Sequence, residues 1–148
     1  MLPETAARLA EDCTNIVAMK EASGDISQIA RLAAIKPDGM RLYSGNDDQA
    51  LPVIALGGDG VISVYSNLNP GVMSNLAKAA LDDEYDTARK LQKEHLKMMR
   101  LMFSDVNPIP VKYAVSKKGY CANVLRLPLI SASDQIKKKI DEALEEME

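Results

Sequence analysis

Short apolar segments alternate with helix patterns over the first 82 residues of this 148-residue chain, and this alternation limits the folds it can adopt. Strands are predicted at residues 15–20, 40–44 and 61–65. Helices are predicted near the amino terminus and at residues 25–35, 47–56 and 70–81. Strands that alternate with helices form a parallel sheet joined by right-handed crossovers. The sequence therefore predicts an α/β fold with about three parallel strands.

After residue 82 the strand pattern stops and helices take over. Helices are predicted at residues 84–103 and 112–118 and after Ser131 or Ser133. In the first of them, apolar residues and His95 recur every three or four positions. Met98, Met99 and Met102 are therefore predicted to be core residues, and His95 a core or boundary residue instead of a catalyst. We therefore predict two regions, residues 1–82 with the strands and residues 83–148 with helices alone. Three strands cannot close a (β/α)8 barrel, because that fold takes about 200 residues or more.

Composition and charge argue against several classes of function. The net charge is −3 and the sequence pI is about 5.3, which provides no basic surface for nucleic acid. No apolar run of about 18 residues is present, so no membrane-spanning helix is expected. The amino terminus lacks the basic and apolar regions of a signal peptide, which predicts a cytoplasmic location.

Metal and dinucleotide sites are not expected either. Cys13, Cys121 and the single histidine, His95, are too few to complete a tetrahedral metal site, and the cysteines are predicted to be free thiols. The glycines at 57–60 precede a predicted strand. In a dinucleotide-binding loop they follow a strand and precede a helix. We therefore expect neither a metal nor a cofactor.

The first apolar segment is short and rich in Ile and Val, which predicts a buried parallel strand. Lys20 closes this segment and is followed by turn residues. A lysine is rarely buried without a partner or a function. The carboxyl end of a parallel strand is where α/β folds place their reactive groups. An amine held partly out of water there favours the neutral form, which attacks carbonyls. Lys20 is therefore a candidate Schiff-base nucleophile. The alternative is that its ammonium reaches the rim of the sheet or pairs with Glu21.

Five segments, spread over nearly the whole chain, carry a family resemblance. They are residues 17–25 (VAMKEASGD), 43–48 (YSGNDD), 55–64 (ALGGDGVISV), 107–112 (NPIPVK) and 125–129 (LRLPL). In this order and at this spacing they resemble the second half of the dihydrodipicolinate synthase family, class I aldolase-like enzymes of lysine biosynthesis. The resemblance implies the carboxyl-terminal half of a (β/α)8 TIM barrel, followed by an all-helical carboxyl-terminal region.

The same resemblance implies a reaction and a role for several residues. Lys20 would form an imine with pyruvate, and the resulting enamine would attack aspartate semialdehyde to give 4-hydroxy-tetrahydrodipicolinate. Gly45 would lie with its backbone against the substrate, and Ile62 would line the pyruvate pocket. On the residues alone, Gly45 is equally a turn glycine and Ile62 is equally an ordinary barrel-core residue.

Partners are expected because open parallel edges with apolar faces tend to associate. We expect the missing amino-terminal half of the barrel, on another chain or on other copies of this one, and a homo-oligomer. Two alternatives to the synthase stay open. One is a sibling Schiff-base enzyme, such as N-acetylneuraminate lyase or a 2-keto-3-deoxy-sugar-acid aldolase. The other is a non-catalytic, truncated chain that acts as an assembly partner.

Overall fold

The computed structural model describes residues 1–147, in which three parallel strands form one sheet in chain order. The strands are β1 (Ala18–Glu21), β2 (Arg41–Ser44) and β3 (Gly60–Val61). Lys20 pairs with Tyr43, and Tyr43 pairs in turn with Gly60. The carboxyl ends of the strands therefore meet at one edge of the sheet.

Helices make up most of the remaining structure. Within residues 1–147 they are α1 (Pro3–Asp12), α2 (Ile26–Ile35), α3 (Ala50–Ala55), α4 (Pro70–Leu81), α5 (Tyr85–Leu101), α6 (Ile109–Lys117) and α7 (Asp134–Glu145). The prediction of a parallel α/β unit followed by helices alone is confirmed. None of these helices is both long enough and apolar enough to cross a membrane.

Capping residues explain where several helices begin. The Asp25 carboxylate accepts hydrogen bonds from the backbone N–H groups of Ser27, at 2.9 Å, and Gln28, at 3.3 Å, at the start of α2. Asn69 caps α4 in the same way, and Ser133 caps α7. Each cap satisfies N–H groups that a helix end otherwise leaves unpaired. Of the two serines predicted to cap the last helix, Ser133 is therefore the one that does.

The first strand differs from its prediction in both bounds and burial. It covers residues 18–21 instead of 15–20, and Lys20 on it is exposed. Val17, just before the strand, is 61% exposed. β1 is an outer strand of the sheet, paired on one side only. Of its apolar side chains, Met19 packs against the buried group that contains Ile29 and Leu42, called the helix-side core below. The prediction of a buried strand is therefore wrong for this chain, because an apolar run is buried only where another layer covers it.

Three other elements are shifted for reasons that lie nearby in the chain. β3 ends at Val61 instead of residue 65, because residues 65–67 turn into a short 3-10 helix. The helix predicted at 47–56 is divided into a 3-10 turn followed by α3. α6 begins at Ile109 instead of residue 112, since Pro110 is tolerated in the first helical turn.

Three groups of buried side chains hold these elements together, the smallest of them around Ile54, Ala80 and Ala88. One lies between the sheet and helices α1 to α3 and contains Ala6, Ile29, Leu32, Leu42 and Val53. The larger group draws residues from both sides of residue 83 and contains Val64, Leu76, Met98, Met99, Met102 and Ile140. The methionines predicted as core residues are therefore core. Tyr65, which is fully buried in the larger group, lies with its hydroxyl 3.0 Å from Nδ1 of His95.

Truncation of Met99 tests the larger core. Met99→Ala should lower the free energy of unfolding by about 2–5 kcal/mol, because Met99 is fully buried and its removal leaves a cavity. Leu96→Ala, on the same helix but 37% exposed, is the matched control and should cost clearly less. Urea unfolding followed by circular dichroism measures both values. Equal losses at the two positions would contradict this description of the core.

Candidate active site

Lys20 lies near the carboxyl edge of the sheet, on the face opposite the helix-side core. Successive strand residues point to opposite faces. Met19 packs against α2-side residues, so Lys20 points the other way, as does its partner Tyr43. The structure thus presents the Lys20 amine at the edge where parallel sheets carry their reactive groups.

A cavity of about 490 Å³ opens at this edge. Lys20 of β1 lines it, together with Ile62 and Ser63 from the segment that follows β3. The helical region contributes Asn107, Lys112 and Cys121, among others. Two of the predicted site residues, Lys20 and Ile62, are therefore brought together in one cavity. Ile62 is 48% exposed, which leaves an apolar surface available beside the amine.

Gly45 lies against the stem of Lys20 at the end of β2. Its backbone N–H donates to the carbonyl of Glu21 at 2.7 Å. A Cβ at this position would lie 3.0 Å from Cε of Lys20 and 2.4 Å from Cβ of Ala22. Gly45 is therefore required for close approach of the two strand ends. Its contact with a substrate stays a prediction, since its place in this structure is beside the lysine stem.

Glu21 does not neutralise Lys20. The Glu21 carboxylate is buried and accepts hydrogen bonds from the backbone N–H of Ser23 at 2.7 Å and from Nε2 of Gln28 at 3.5 Å. In the part of the chain that the structure describes, no ion pair joins Glu21 to Lys20. Pairing with Glu21 is therefore not supported, whereas the other part of the alternative, an ammonium that reaches the rim of the sheet, agrees with the exposure of Lys20.

Asp47 ties the end of β2 to the segment that follows β3. One oxygen of its fully buried carboxylate accepts hydrogen bonds from the N–H groups of Val64, at 3.1 Å, and Tyr65, at 2.9 Å. Burial raises the pKa of Asp47, while hydrogen bonds from the Ser63 hydroxyl and these two N–H groups act in the opposite direction. These hydrogen bonds hold in place the segment after β3, which includes Ile62 in the cavity wall.

A larger cleft, of about 770 Å³, lies elsewhere on the same side of the sheet. It is lined by Ser23, Asn46 and Asp48 from the loops after β1 and β2, and by Lys97, Arg100 and Ser104 near the end of α5. Lys20 and Ile62 do not line it. We assign the candidate site to the smaller cavity, because it holds the amine.

Cys13, Cys121 and His95 are the residues considered above as metal ligands. Cys13 and Cys121 are free thiols, as predicted. Among residues 1–147, no group of three or more histidine, cysteine, aspartate or glutamate side chains is placed to hold a metal ion. His95 contacts Tyr65 and does not line the cavity, which agrees with its interpretation as a boundary residue.

Asn107, Lys112 and Cys121 enter the cavity without having been predicted to do so. Asn107 and Lys112 belong to one of the five family-like segments, NPIPVK, so the sequence did mark the stretch. Nothing in the local pattern indicated that it would face a lysine about ninety residues earlier in the chain. Asp47 was likewise visible only as part of a polar turn.

The parallel strands, the crossover helices and the lysine-bearing cavity define part of a (β/α) barrel with a site at the carboxyl end of its strands. The model of the dihydrodipicolinate synthetase family matches residues 1–147. The chain belongs to that family.

Individual relatives agree with this assignment. The 4-hydroxy-tetrahydrodipicolinate synthase of Salinibacter ruber is 47% identical over 127 residues, which cover 86% of this chain and 42% of that protein. The enzyme of the same name from Fervidobacterium nodosum is 41% identical over 145 residues, which cover 98% of this chain and 50% of that protein. The chain spans about half the length of the curated relatives it matches.

Solved structures of the family likewise match this chain over about half of their own length. The dihydrodipicolinate synthase of Thermotoga maritima superposes with a TM-score of 0.95 and 39% identity, over 98% of this chain and 50% of that one. The Aquifex aeolicus enzyme gives 0.94 and 34% identity over 98% of this chain. The predicted fold, the carboxyl-terminal half of a TIM barrel followed by a helical region, is confirmed by this likeness together with the strand order.

Adding a methyl group at Gly45 tests the packing around Lys20. Gly45→Ala should lower the free energy of unfolding by about 1–3 kcal/mol, because the new Cβ would overlap Ala22 and crowd the Lys20 stem. Gly71→Ala in α4 is the matched control. No atom lies within 4 Å of its Cβ position, so it should be neutral or slightly stabilising. Chemical denaturation compares the two variants, and equal effects would refute the crowding.

The buried carboxylate of Asp47 predicts a dependence of stability on pH. Because folding raises the pKa of Asp47, its contribution to stability is largest below the ordinary aspartate value of about 4 and is lost as the pH rises through the raised value. As the pH rises, the free energy of unfolding of the wild type should therefore fall relative to that of Asp47→Asn. The exposed Asp38→Asn is the control. Parallel profiles of stability against pH for the wild type and Asp47→Asn would contradict a raised pKa of Asp47.

Proposed function

We propose that this chain is the lysine-bearing half of a 4-hydroxy-tetrahydrodipicolinate synthase, which condenses pyruvate with aspartate semialdehyde in lysine biosynthesis. The observation that carries the proposal is the position of Lys20 beside Ile62 in one cavity at the carboxyl edge of the sheet, in a chain of this family. A related structure supports the first substrate: the Acinetobacter baumannii dihydrodipicolinate synthase, 35% identical with a TM-score of 0.92, was crystallised in complex with pyruvate.

Lys20 acts as the nucleophile in this mechanism. Its neutral amine adds to the ketone carbon of pyruvate, and loss of water gives an imine. The protonated imine withdraws electrons, so the methyl group loses a proton and an enamine forms. The enamine carbon then attacks the aldehyde carbon of aspartate semialdehyde. Attack by the substrate's own amino group on the imine closes the ring and releases Lys20, so neither a metal nor a cofactor is required.

The neighbours of Lys20 have supporting roles. Gly45 leaves room for the lysine stem, and Ile62 offers an apolar surface against which the methyl group of pyruvate can lie. Arginine could not replace Lys20, because a guanidinium is never usefully deprotonated and cannot form the imine. The relatives named above are synthases, which favours this reaction over those of N-acetylneuraminate lyase and the sugar-acid aldolases.

The active unit contains more than this chain. Ile62 and Val17, the residue just before β1, are apolar and exposed, and the relatives are about twice as long. We therefore propose that the other half of the barrel, supplied by another polypeptide or by further chain, completes the site in a homo-oligomeric assembly. The free thiols fit a reducing compartment such as the cytoplasm.

Trapping of the imine tests the nucleophile. The chain is incubated with pyruvate and borohydride, alone and with a candidate amino-terminal half, and its intact mass is measured. A reduced pyruvate adduct should form on the wild type and be absent from Lys20→Ala. Lys93→Ala, which removes an exposed lysine of α5, is the control and should retain the adduct. An adduct that survives in Lys20→Ala, or none in a folded and complemented barrel, would refute the proposal.

A further inference from the structure

We propose that Lys112 is a second functional cation of the Lys20 cavity, and that it receives a carboxylate group of the substrate. The inference rests on the proposed function, since it assigns the recognition of acidic substrates at that same site. Lys112 lies in α6, about ninety residues after Lys20, yet both side chains line the cavity of about 490 Å³.

The charges around this cavity are one-sided. Among the described residues that line it, Lys20 and Lys112 are ionisable cations and none is an aspartate or a glutamate. Lys112 is only partly exposed. A partly buried ammonium is costly unless an anion or hydrogen-bond acceptors compensate it. A bound carboxylate would provide that compensation.

Other lysines of the same region are paired within the chain, whereas Lys112 is not. Lys117 lies 3.2 Å from a carboxylate oxygen of Asp141, and Lys97 lies 2.6 Å from Glu146. Across residues 1–147, no ion pair or side-chain hydrogen bond is found for the Lys112 ammonium. The simplest alternative is that its stem packs on the surface and its ammonium reaches water. That alternative predicts no discrimination between charged and neutral substrates.

The start of α6 adds to the positive potential. The backbone N–H of Lys112 donates to the carbonyl of Pro108 at 2.9 Å, which places it at the end of the first turn. Asn107, Pro108 and Val111 line the same cavity, so the amino-terminal end of the helix faces it. This end of a helix carries a partial positive charge that favours anions. Lys112 and the helix end therefore act in the same direction.

The substrate class follows from this pairing of groups. One lysine attacks a ketone while a second cation holds a carboxylate, so the cavity should select oxo acids over neutral ketones. Pyruvate and aspartate semialdehyde each carry a carboxylate. The experiments below distinguish which of the two substrates supplies the carboxylate that binds Lys112. Arginine at residue 112 would preserve the charge, and glutamine would remove it while keeping a polar side chain.

The first measurement is borohydride trapping as a function of substrate concentration, with pyruvate and with its neutral ester, methyl pyruvate. Lys112→Gln should raise the half-saturating concentration of pyruvate about tenfold or more, because a charge-assisted hydrogen bond is lost. The value for methyl pyruvate should stay the same, and Lys112→Arg should keep most of the preference. Lys93→Gln removes the same charge outside the cavity and should change neither value.

A second result would also support the inference. If trapping of pyruvate is unchanged in Lys112→Gln but the KM for aspartate semialdehyde rises about tenfold in the completed enzyme, the carboxylate is that of the aldehyde. Equal loss with pyruvate and methyl pyruvate would indicate a structural role and overturn the inference. So would no change in either trapping or KM.

Failure of the proposed function gives a different signature. If the wild type forms no adduct, the imine chemistry is refuted, and carboxylate recognition is then judged from pyruvate binding by the Lys20→Ala chain in saturation-transfer NMR. Binding that disappears in Lys20→Ala/Lys112→Gln supports the role of Lys112. Binding that persists in the double variant, or that is absent from Lys20→Ala, overturns it.

Discussion

β1 and β2 pair in parallel from Ala18 against Arg41 to Glu21 against Ser44, and the geometry of the site depends on this register. The pairing continues into the turn, where the N–H of Gly45 donates to the carbonyl of Glu21. A shift by one residue would turn Lys20 towards the helices and place Met19 at the cavity, because strand side chains alternate between faces. The helices on one face of the sheet thus fix which side chain is presented on the other.

The second constraint is the buried carboxylate of Asp47, which joins the ends of β2 and β3. Val64 and Tyr65, whose N–H groups donate to it, follow the short β3 and lead into the 3-10 segment. Tyr65 then reaches into the larger core and contacts His95 of α5. A single polar group therefore connects the sheet, the cavity wall and the helical region. This connection explains why the helical region belongs to the site instead of forming a separate attachment.

Local chemistry accounts for the elements that agree with prediction. α2 and α4 lie close to their predicted ranges because Asp25, Asn69 and Pro70 act on adjacent residues and the apolar period is short. The strands were less predictable. β3 stops three residues before Val64, whose N–H donates to Asp47, 17 residues earlier in the sequence. β1 is exposed because no other layer of the described residues covers it. Neither cause is visible in the residues of the strand itself.

Sequence patterns alone predict the order of strands and helices, the position of Lys20 near the end of its strand and the family to which the chain belongs. They do so because periodicity, capping and a few distinctive segments are local properties of the chain. Tertiary contacts bring Ile62, Asn107 and Lys112 into one cavity with Lys20, turn Glu21 away and pack Gly45 on the lysine stem. These outcomes depend on contacts between residues far apart in sequence, and such contacts are set by strand register and helix packing instead of local preference.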